Sequence, residues 1–251
     1  FFLFLNTIAM IRFGFIGTGR ISDWVFKGAS EDSRIKVTAI CSRTKEAAKA
    51  FIERHPEIAG ARIYTSVEEL ANDPDIDAVY IGTPNQTHHA YAITALNAGK
   101  HVLCEKPFSV TGDEAREMAA AARANGKLLM EAMISTFNPN FRAFAEHAKD
   151  AAPLRQYHSS YCQYSSRYED LRNGIIASCF QPKTSGALRE IGIYALYPLV
   201  SLFGRPGKTS ANLTIFQTQE GPTDIHGPLI LNYGQMQASI TYSKVCDSLT
   251  G

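Results

Sequence analysis

The chain has 251 residues, 45% of them hydrophobic and 20% charged, with 25 Lys plus Arg against 24 Asp plus Glu. That is ordinary globular composition with room for one large domain or two modest ones, and it excludes a disordered, collagen-like or low-complexity chain. A net charge of +1 leaves no global electrostatic footprint for nucleic acid or an anionic membrane.

The chain opens Phe1-Phe2-Leu3-Phe4-Leu5, and Met10 stands just ahead of the first strand-like run. The apolar patch is too short to span a bilayer and lacks the basic region and cleavage site of a signal peptide. Residues 1–9 read as translated from upstream of the true start, or as a remnant. From there the pattern alternates. Ile11 to Ile16 is apolar and β-prone, a glycine turn follows, and a helical stretch runs from about Ile21 to Ala29. Ile35 to Cys41 is again a strand and Lys45 to His55 a helix. Arg62 to Tyr64 is a short strand. Val67 to Asn72 is a short helix opened by Ser66, with Glu69 completing a capping box. Ala78 to Ile81, His101 to Cys104 and Lys127 to Met130 are strands. Between them lie helices over Thr87 to Ala98 and Gly112 to Ala124, stopped at Gly99 and Gly126. Apolar strands alternating with helices imply a parallel sheet covered on both faces, a Rossmann-like domain.

The second half reads differently. Asn140 to Lys149 is helical, Arg155 to Tyr164 is a mixed strand, and residues 165–185 are irregular. Ala187 to Phe203 is a long apolar helix ending at Gly204, with a kink expected at Pro198. Lys208 to Thr218, Gly227 to Tyr233 and Gln235 to Ser243 are successive strands. The expected fold is therefore α/β: a Rossmann parallel sheet over residues 10–131, then an α+β domain with a mostly antiparallel sheet over residues 132–251. The chain stops just after a strand, at Asp247-Ser248-Leu249-Thr250-Gly251, so the second domain reads as truncated. The five cysteines, Cys41, Cys104, Cys162, Cys179 and Cys246, are scattered and unpaired in spacing. They point to reduced thiols in a cytoplasmic protein, without a zinc module.

The run Gly14-Phe15-Ile16-Gly17-Thr18-Gly19-Arg20-Ile21-Ser22 closes a strand and opens a helix. In that context Gly17 allows the tight turn, and Gly19 lets backbone approach a pyrophosphate seated on the helix N-terminus. Ser22 stands where a third Gly or Ala is usual. Strand 2 ends Cys41-Ser42-Arg43-Thr44 and lacks the carboxylate that holds a ribose 2′-hydroxyl. A hydroxyl beside a guanidinium suits a 2′-phosphate, so NADP(H) is the expected cofactor, with NAD(H) left open. Ligands lie beyond the carboxyl ends of such strands. The fourth ends in Thr83-Pro84-Asn85, followed by His88 and His89; the fifth ends in Glu105-Lys106-Pro107. A Lys there must be paired or functional. Adjacent His88 and His89 diverge on a helix, and no metal site is expected. Tyr157, Tyr161, Tyr164, Ser165 and Tyr168 form either a substrate cleft or a plain sheet face. Lys183 is either a substrate contact or a solvated loop lysine.

These pieces resemble the Gfo/Idh/MocA oxidoreductase family. The resemblance rests on Gly17 to Ser22, Thr83-Pro84-Asn85 with His88, Ala98-Gly99-Lys100-His101-Val102, Glu105-Lys106-Pro107 and Gly186-Ala187-Leu188-Arg189-Glu190-Ile191-Gly192-Ile193-Tyr194. Met130-Glu131-Ala132-Met133 is similar to the branch holding dimeric dihydrodiol dehydrogenase and NADP-dependent xylose dehydrogenases. The resemblance implies hydride transfer between NADP(H) and a secondary alcohol or carbonyl of a sugar, polyol or cyclic diol bound between the domains. It makes Lys106, Tyr194 and Glu190 catalytic. Tyr194 takes the proton, Lys106 faces both nicotinamide and substrate, often beside a cis peptide, and Glu190 orients or tunes them. Gly17, Thr18, Gly19, Arg20, Ile21, Ser42, Arg43, Thr83, Pro84, Asn85, His88, Glu105 and Lys106 are the expected cofactor-binding set. His88 is further expected to make a structural hydrogen bond near Asn85. Lys106, Tyr164, Lys183, Glu190 and Tyr194 are the expected substrate set. The family also implies a homodimer through the C-terminal sheet. Glu190 replaces the usual Asp, Arg189 an apolar residue and Ser185 a Gly. An alternative function follows from these departures: a non-catalytic regulator that binds dinucleotide and sugar.

Overall fold

A computed structural model describes residues 10–151 and 153–246. The expectations about residues 1–9 and 247–251 lie outside the described residues. The chain divides into two compact units after Ala132.

In the first unit six strands alternate with helices: β1 (Ile11–Ile16), α1 (Arg20–Ser30), β2 (Ile35–Cys41), α2 (Lys45–Arg54), β3 (Arg62–Tyr64), α3 (Val67–Ala71), β4 (Ala78–Ile81), α4 (His88–Asn97), β5 (His101–Cys104), α5 (Gly112–Ala124) and β6 (Leu129–Glu131). The sheet order is β3-β2-β1-β4-β5-β6 and every pairing is parallel. This is the doubly wound order, reversing between β1 and β4. All four residues of β4 are buried, as a strand covered on both faces requires. One face packs Phe15, Phe26, Phe51 and Tyr80, with Phe15 and Phe26 edge to face at 6.3 Å. The other packs Ile81, Val79 and Val102 against Ala92, Leu96 and Met118 of the helices.

Two local details differ from expectation. β6 begins at Leu129, because Lys127 still closes α5: its N–H donates to Ala122 O across Gly126, which has φ +60°. Ser66 accepts from Glu69 N–H at 3.3 Å, but its hydroxyl turns to Glu68 at 2.7 Å, so the expected reciprocal box is half formed.

At the amino-terminal edge of the sheet a buried lysine acts as a staple. Lys100 Nζ donates to Asp73 O and Ile76 O at 2.7 and 2.8 Å, and burial pulls its pKa down. Asp73 in turn accepts from Tyr64 at 2.8 Å and pairs with Arg62 at 2.7 Å. Replacing the ammonium by an apolar end leaves two carbonyls without their donor. Lys100→Met is expected to cost about 2–4 kcal/mol of stability, read as a lower urea midpoint with unchanged slope.

The second unit contains α6 (Pro139–Asp150), β7 (Gln156–Cys162), α7 (Tyr168–Arg172), a π-helical turn (Leu188–Gly192), α8 (Ile193–Phe203), β8 (Lys208–Ala211), β9 (Thr214–Thr218), β10 (Gly221–Asn232) and β11 (Gln237–Ser243). Its sheet runs β7-β11-β10-β8, with β9 also on β10. Only β7 and β11 are parallel; the remaining pairs are antiparallel. Ala195 and Leu199 of α8 pack on Leu229, Leu231, Ala238 and Ile240.

The strand expected over 208–218 is two strands, and both pair with β10. The break at Asn212 and Leu213 lies opposite Gly227 and Pro228, where proline has no N–H for the ladder. The irregular stretch holds α7, anchored by the single buried Leu171, too little for a periodic signal. Pro198, where a kink is expected, does not interrupt the helix. Pro198 lies inside α8, and the irregularity is the π turn ahead of it.

Candidate functional site

The glycine turn is defined by what glycine permits. Gly17 has φ +107° and donates its N–H to Cys41 O at 2.9 Å. A Cβ there would strike the carbonyl of Gly82 at the end of β4. Gly19 is the N-cap of α1 and supplies no side-chain cap. A Cβ on Gly19 would meet nothing within 4 Å, so the helix start is open to an approaching group. Such a helix end favours an anion, through its unfilled N–H groups and its dipole. Ser22 is fully buried and sits against Gly82 and Tyr80, where only a small side chain fits. Thr18 Oγ1 lies 3.2 Å from Ser42 Oγ, and Arg43 is exposed beside them. Arg54 Nη2 donates to Thr18 O at 3.3 Å and to Asp23 at 3.0 Å, bracing the turn from α2. The Arg20 guanidinium lies over Trp24, the chain's single Trp, at 5.7 Å. These residues fit a dinucleotide: an open cradle at Gly19 and a hydroxyl–guanidinium cluster at the end of β2.

The next strand ends form a second cluster. Beyond β4, Thr83 Oγ1 and Thr87 Oγ1 are 2.7 Å apart, and Thr87 donates to Pro84 O at 2.7 Å. Asn85 opens a single 3₁₀ turn leading into α4. His88 is fully buried; Nε2 lies 2.9 Å from Thr83 O and Nδ1 2.9 Å from Pro107 O. Beyond β5 the Lys106–Pro107 peptide is cis. Glu105 is buried and accepts from Tyr80 hydroxyl at 3.1 Å and from Lys106 N–H at 3.2 Å. Burial beside that carboxylate pushes the Tyr80 phenol far above its usual range. Glu131, at the end of β6, accepts from Phe108 N–H at 2.9 Å. Burial pushes its carboxyl up, while the Phe108 N–H and the Lys106 charge pull it back. His89 turns outward to Glu117 at 2.8 Å, and no cluster of metal-ligating side chains occurs among the described residues.

In the second unit the π turn carries Glu190 and α8 begins one residue before Tyr194. Asp224 of β10 accepts from Leu188 N–H at 2.7 Å, capping this turn. Gly186, at φ +107°, leaves room for that carboxylate; a Cβ there would collide with it. Tyr194 stacks on Tyr161 of β7, with centroids 5.2 Å apart and planes at 30°. Tyr164 instead donates its hydroxyl to Glu169 at 2.7 Å and meets Tyr168 edge to face. Lys183 is exposed at φ +69°. A cavity of about 730 Å³ bounded by Phe141, Leu202, Tyr233 and Met236 holds none of the expected residues.

Within the first unit, then, the structure groups Gly17 to Ile21 with Ser42 and Arg43, and Thr83 with His88, Glu105 and Lys106. Within the second it sets Tyr194 on the helix started by Glu190's turn. Two contributors have no role in the sequence reading. Glu131 was marked only by its motif, although a carboxylate ending the last parallel strand is itself a signal. Asp224 sits mid-strand with no local signature.

The doubly wound sheet and its open helix end define a dinucleotide-binding α/β protein. Residues 11–133 match the model of the GFO_IDH_MocA group, described as an oxidoreductase family with an NAD-binding Rossmann fold. The chain is 42% identical over 240 residues to scyllo-inositol 2-dehydrogenase (NADP(+)) IolU of Bacillus subtilis, covering 95% of this chain and 71% of that protein. It is 33% identical to trans-1,2-dihydrobenzene-1,2-diol dehydrogenase of Sus scrofa, covering 93% and 68%. A 3-ketoreductase from Actinomadura kijaniata, solved with NADP and TDP-benzene, superposes with a TM-score of 0.78 at 27% identity, over 94% of this chain and 70% of that one. The chain belongs to the Gfo/Idh/MocA oxidoreductase family and is an NAD(P)-binding oxidoreductase. No helix among the described residues is long and apolar enough to cross a membrane.

The two glycines separate structure from binding. Gly17→Ala is expected to cost about 2 kcal/mol or more, from strain at positive φ and the Gly82 contact. Gly19→Ala is expected to unfold at nearly the wild-type urea concentration, yet to lose at least about tenfold in dinucleotide affinity.

Proposed function

We propose an NADP(H)-dependent dehydrogenase acting on a secondary alcohol, or its carbonyl, in a sugar, polyol or cyclic diol. The observation that carries the reading is Lys106: a half-buried lysine at the end of a buried strand, its backbone held by Glu105. The names of the relatives, an NADP-dependent inositol dehydrogenase and a diol dehydrogenase, support the same class of substrate. When bound, the nicotinamide supplies the hydride acceptor or donor.

The remaining chemistry belongs to the chain. Loss of hydride from a carbinol carbon requires removal of the hydroxyl proton. Tyr194, as phenolate, takes that proton at its Oη during oxidation and returns it during reduction. The Lys106 ammonium stabilises the substrate oxygen while it carries charge. Glu190 orients Tyr194. Gly17, Thr18, Gly19, Arg20 and Ile21 hold the pyrophosphate end, and Thr83, Pro84, Asn85 and Glu105 border the nicotinamide end. Ser42 and Arg43 hold the 2′-phosphate, as a planar donor fork beside a hydroxyl can. The outward face of the second sheet, where Ile230 is exposed, is the proposed homodimer surface.

Arg43→Ala is expected to weaken NADPH binding about 10- to 100-fold while changing NADH binding little, measured by nucleotide fluorescence. An unchanged preference overturns the assignment. Tyr194→Phe is expected to lower kcat for a polyol substrate about 10²- to 10⁴-fold with NADPH affinity retained. Equal turnover removes Tyr194 from the mechanism. NADPH binding by the wild-type chain with no turnover on any polyol or diol would favour the regulator reading.

A further inference from the structure

Two side chains outside the Glu105-Lys106-Pro107 run meet on one peptide unit. The peptide joining Pro107 to Phe108 presents its carbonyl to His88 Nδ1 at 2.9 Å and its N–H to Glu131 Oε1 at 2.9 Å. A carbonyl oxygen only accepts, so the grip on Pro107 O requires a proton on Nδ1; a neutral ring then has none left for Thr83 O, and only the imidazolium donates to both. His88 comes from the start of α4 and Glu131 from the end of β6, so the peptide is gripped from two different elements. His88 is fully buried, and its other nitrogen lies 2.9 Å from Thr83 O in the loop after β4.

We propose that His88 and Glu131 are positioning residues that clamp the Pro107–Phe108 peptide plane and thereby aim Lys106. A peptide unit is planar, so fixing its C=O and its N–H together fixes its orientation. Pro107 adds a locked φ on the Lys106 side of that plane. The remaining rotations between the clamp and the Lys106 Cα are therefore few. The carboxylate at the N–H polarises the amide and makes its carbonyl a better acceptor, so the two grips reinforce each other. The catalytic part of this inference rests on the proposed role of Lys106; the clamp itself does not.

The test uses the full chain with His88→Ala, His88→Asn, Glu131→Ala and Glu131→Gln, each checked for native near-UV circular dichroism. Asn keeps an amide N–H near the position of Nδ1, and Gln keeps an oxygen acceptor without the charge. Hydrogen exchange at the Phe108 amide reads the clamp directly. It is expected to be slow in the wild type, at least about tenfold faster in both alanine variants, and slower in His88→Asn than in His88→Ala. Trace acetylation followed by mass spectrometry reads Lys106 apart from turnover; its reactivity relative to other lysines is expected to change several-fold in the alanine variants. Turnover is expected to fall in both alanine variants, with NADPH affinity changed little in Glu131→Ala. The double alanine variant is expected to be no worse than the poorer single one, as for residues acting as a unit. His88→Asn and Glu131→Gln are expected to recover part of the loss. Unchanged Phe108 exchange in either alanine variant overturns the clamp. Faster exchange with unchanged Lys106 reactivity and turnover overturns its aim at Lys106. A wild-type chain that turns over no polyol, while exchange and acetylation behave as described, overturns the proposed function and leaves the clamp standing.

Discussion

The register of one parallel ladder sets everything at the nucleotide edge of the first unit. Ile16 pairs with Cys41 and with Ile81, Ile81 with Cys104, and Cys104 with Glu131. Five strands thus end level. The residues that follow each end, Gly17, Ser42, Gly82, Glu105 and Ala132, emerge on one rim. The close approach of Gly17 to Gly82 exists because β1 and β4 are neighbours in register. A slip of one residue in any strand would turn its buried faces over and carry its terminal loop off the rim. The core that holds this register, Phe15, Val79 and Ile81 among its members, therefore positions the chemistry without touching it.

Polar groups at that rim are buried together, not singly. Tyr80, Glu105, Glu131 and His88 each meet a partner, and most partners are backbone groups of the loops that carry Lys106. A buried carboxylate is costly alone and tolerable when it accepts from N–H groups. The same accounting applies in the second unit, where Asp224 lies against Gly186 and accepts from Leu188 N–H. In both units a carboxylate is held at a turn by backbone donors, and the turn carries a residue proposed for catalysis.

Most of the first unit is legible from sequence because its strands are continuous apolar runs and its turns are marked by glycine. Gly17, Gly99 and Gly126 all adopt positive φ where the pattern changes from one element to the next. The Glu105-Lys106-Pro107 run and its cis peptide are equally visible as a motif. Contacts made by single residues far apart in sequence are not. Glu131 reaches Phe108 across 23 residues and Asp224 reaches Leu188 across 36, and neither distance leaves a periodic trace. The π turn at Leu188–Gly192 is hidden for another reason: its residues continue the pattern of the helix that follows, and only the hydrogen-bond offset differs. Pro198, the visible breaker, is accommodated within α8. The division of 208–218 into two strands depended on Pro228, which lies in a different strand.

Trp24 gives the molecule an unusual optical property. It is the only tryptophan in the chain, it is 66% exposed, and it sits one helical turn beyond Arg20 with the guanidinium over its ring. Indole emission depends on solvent and on nearby charge, so the tryptophan fluorescence of this chain, excited selectively above the tyrosine band, is a report from one place, the first turns of α1. Any event that repositions Arg20 at the glycine turn changes that signal without a label.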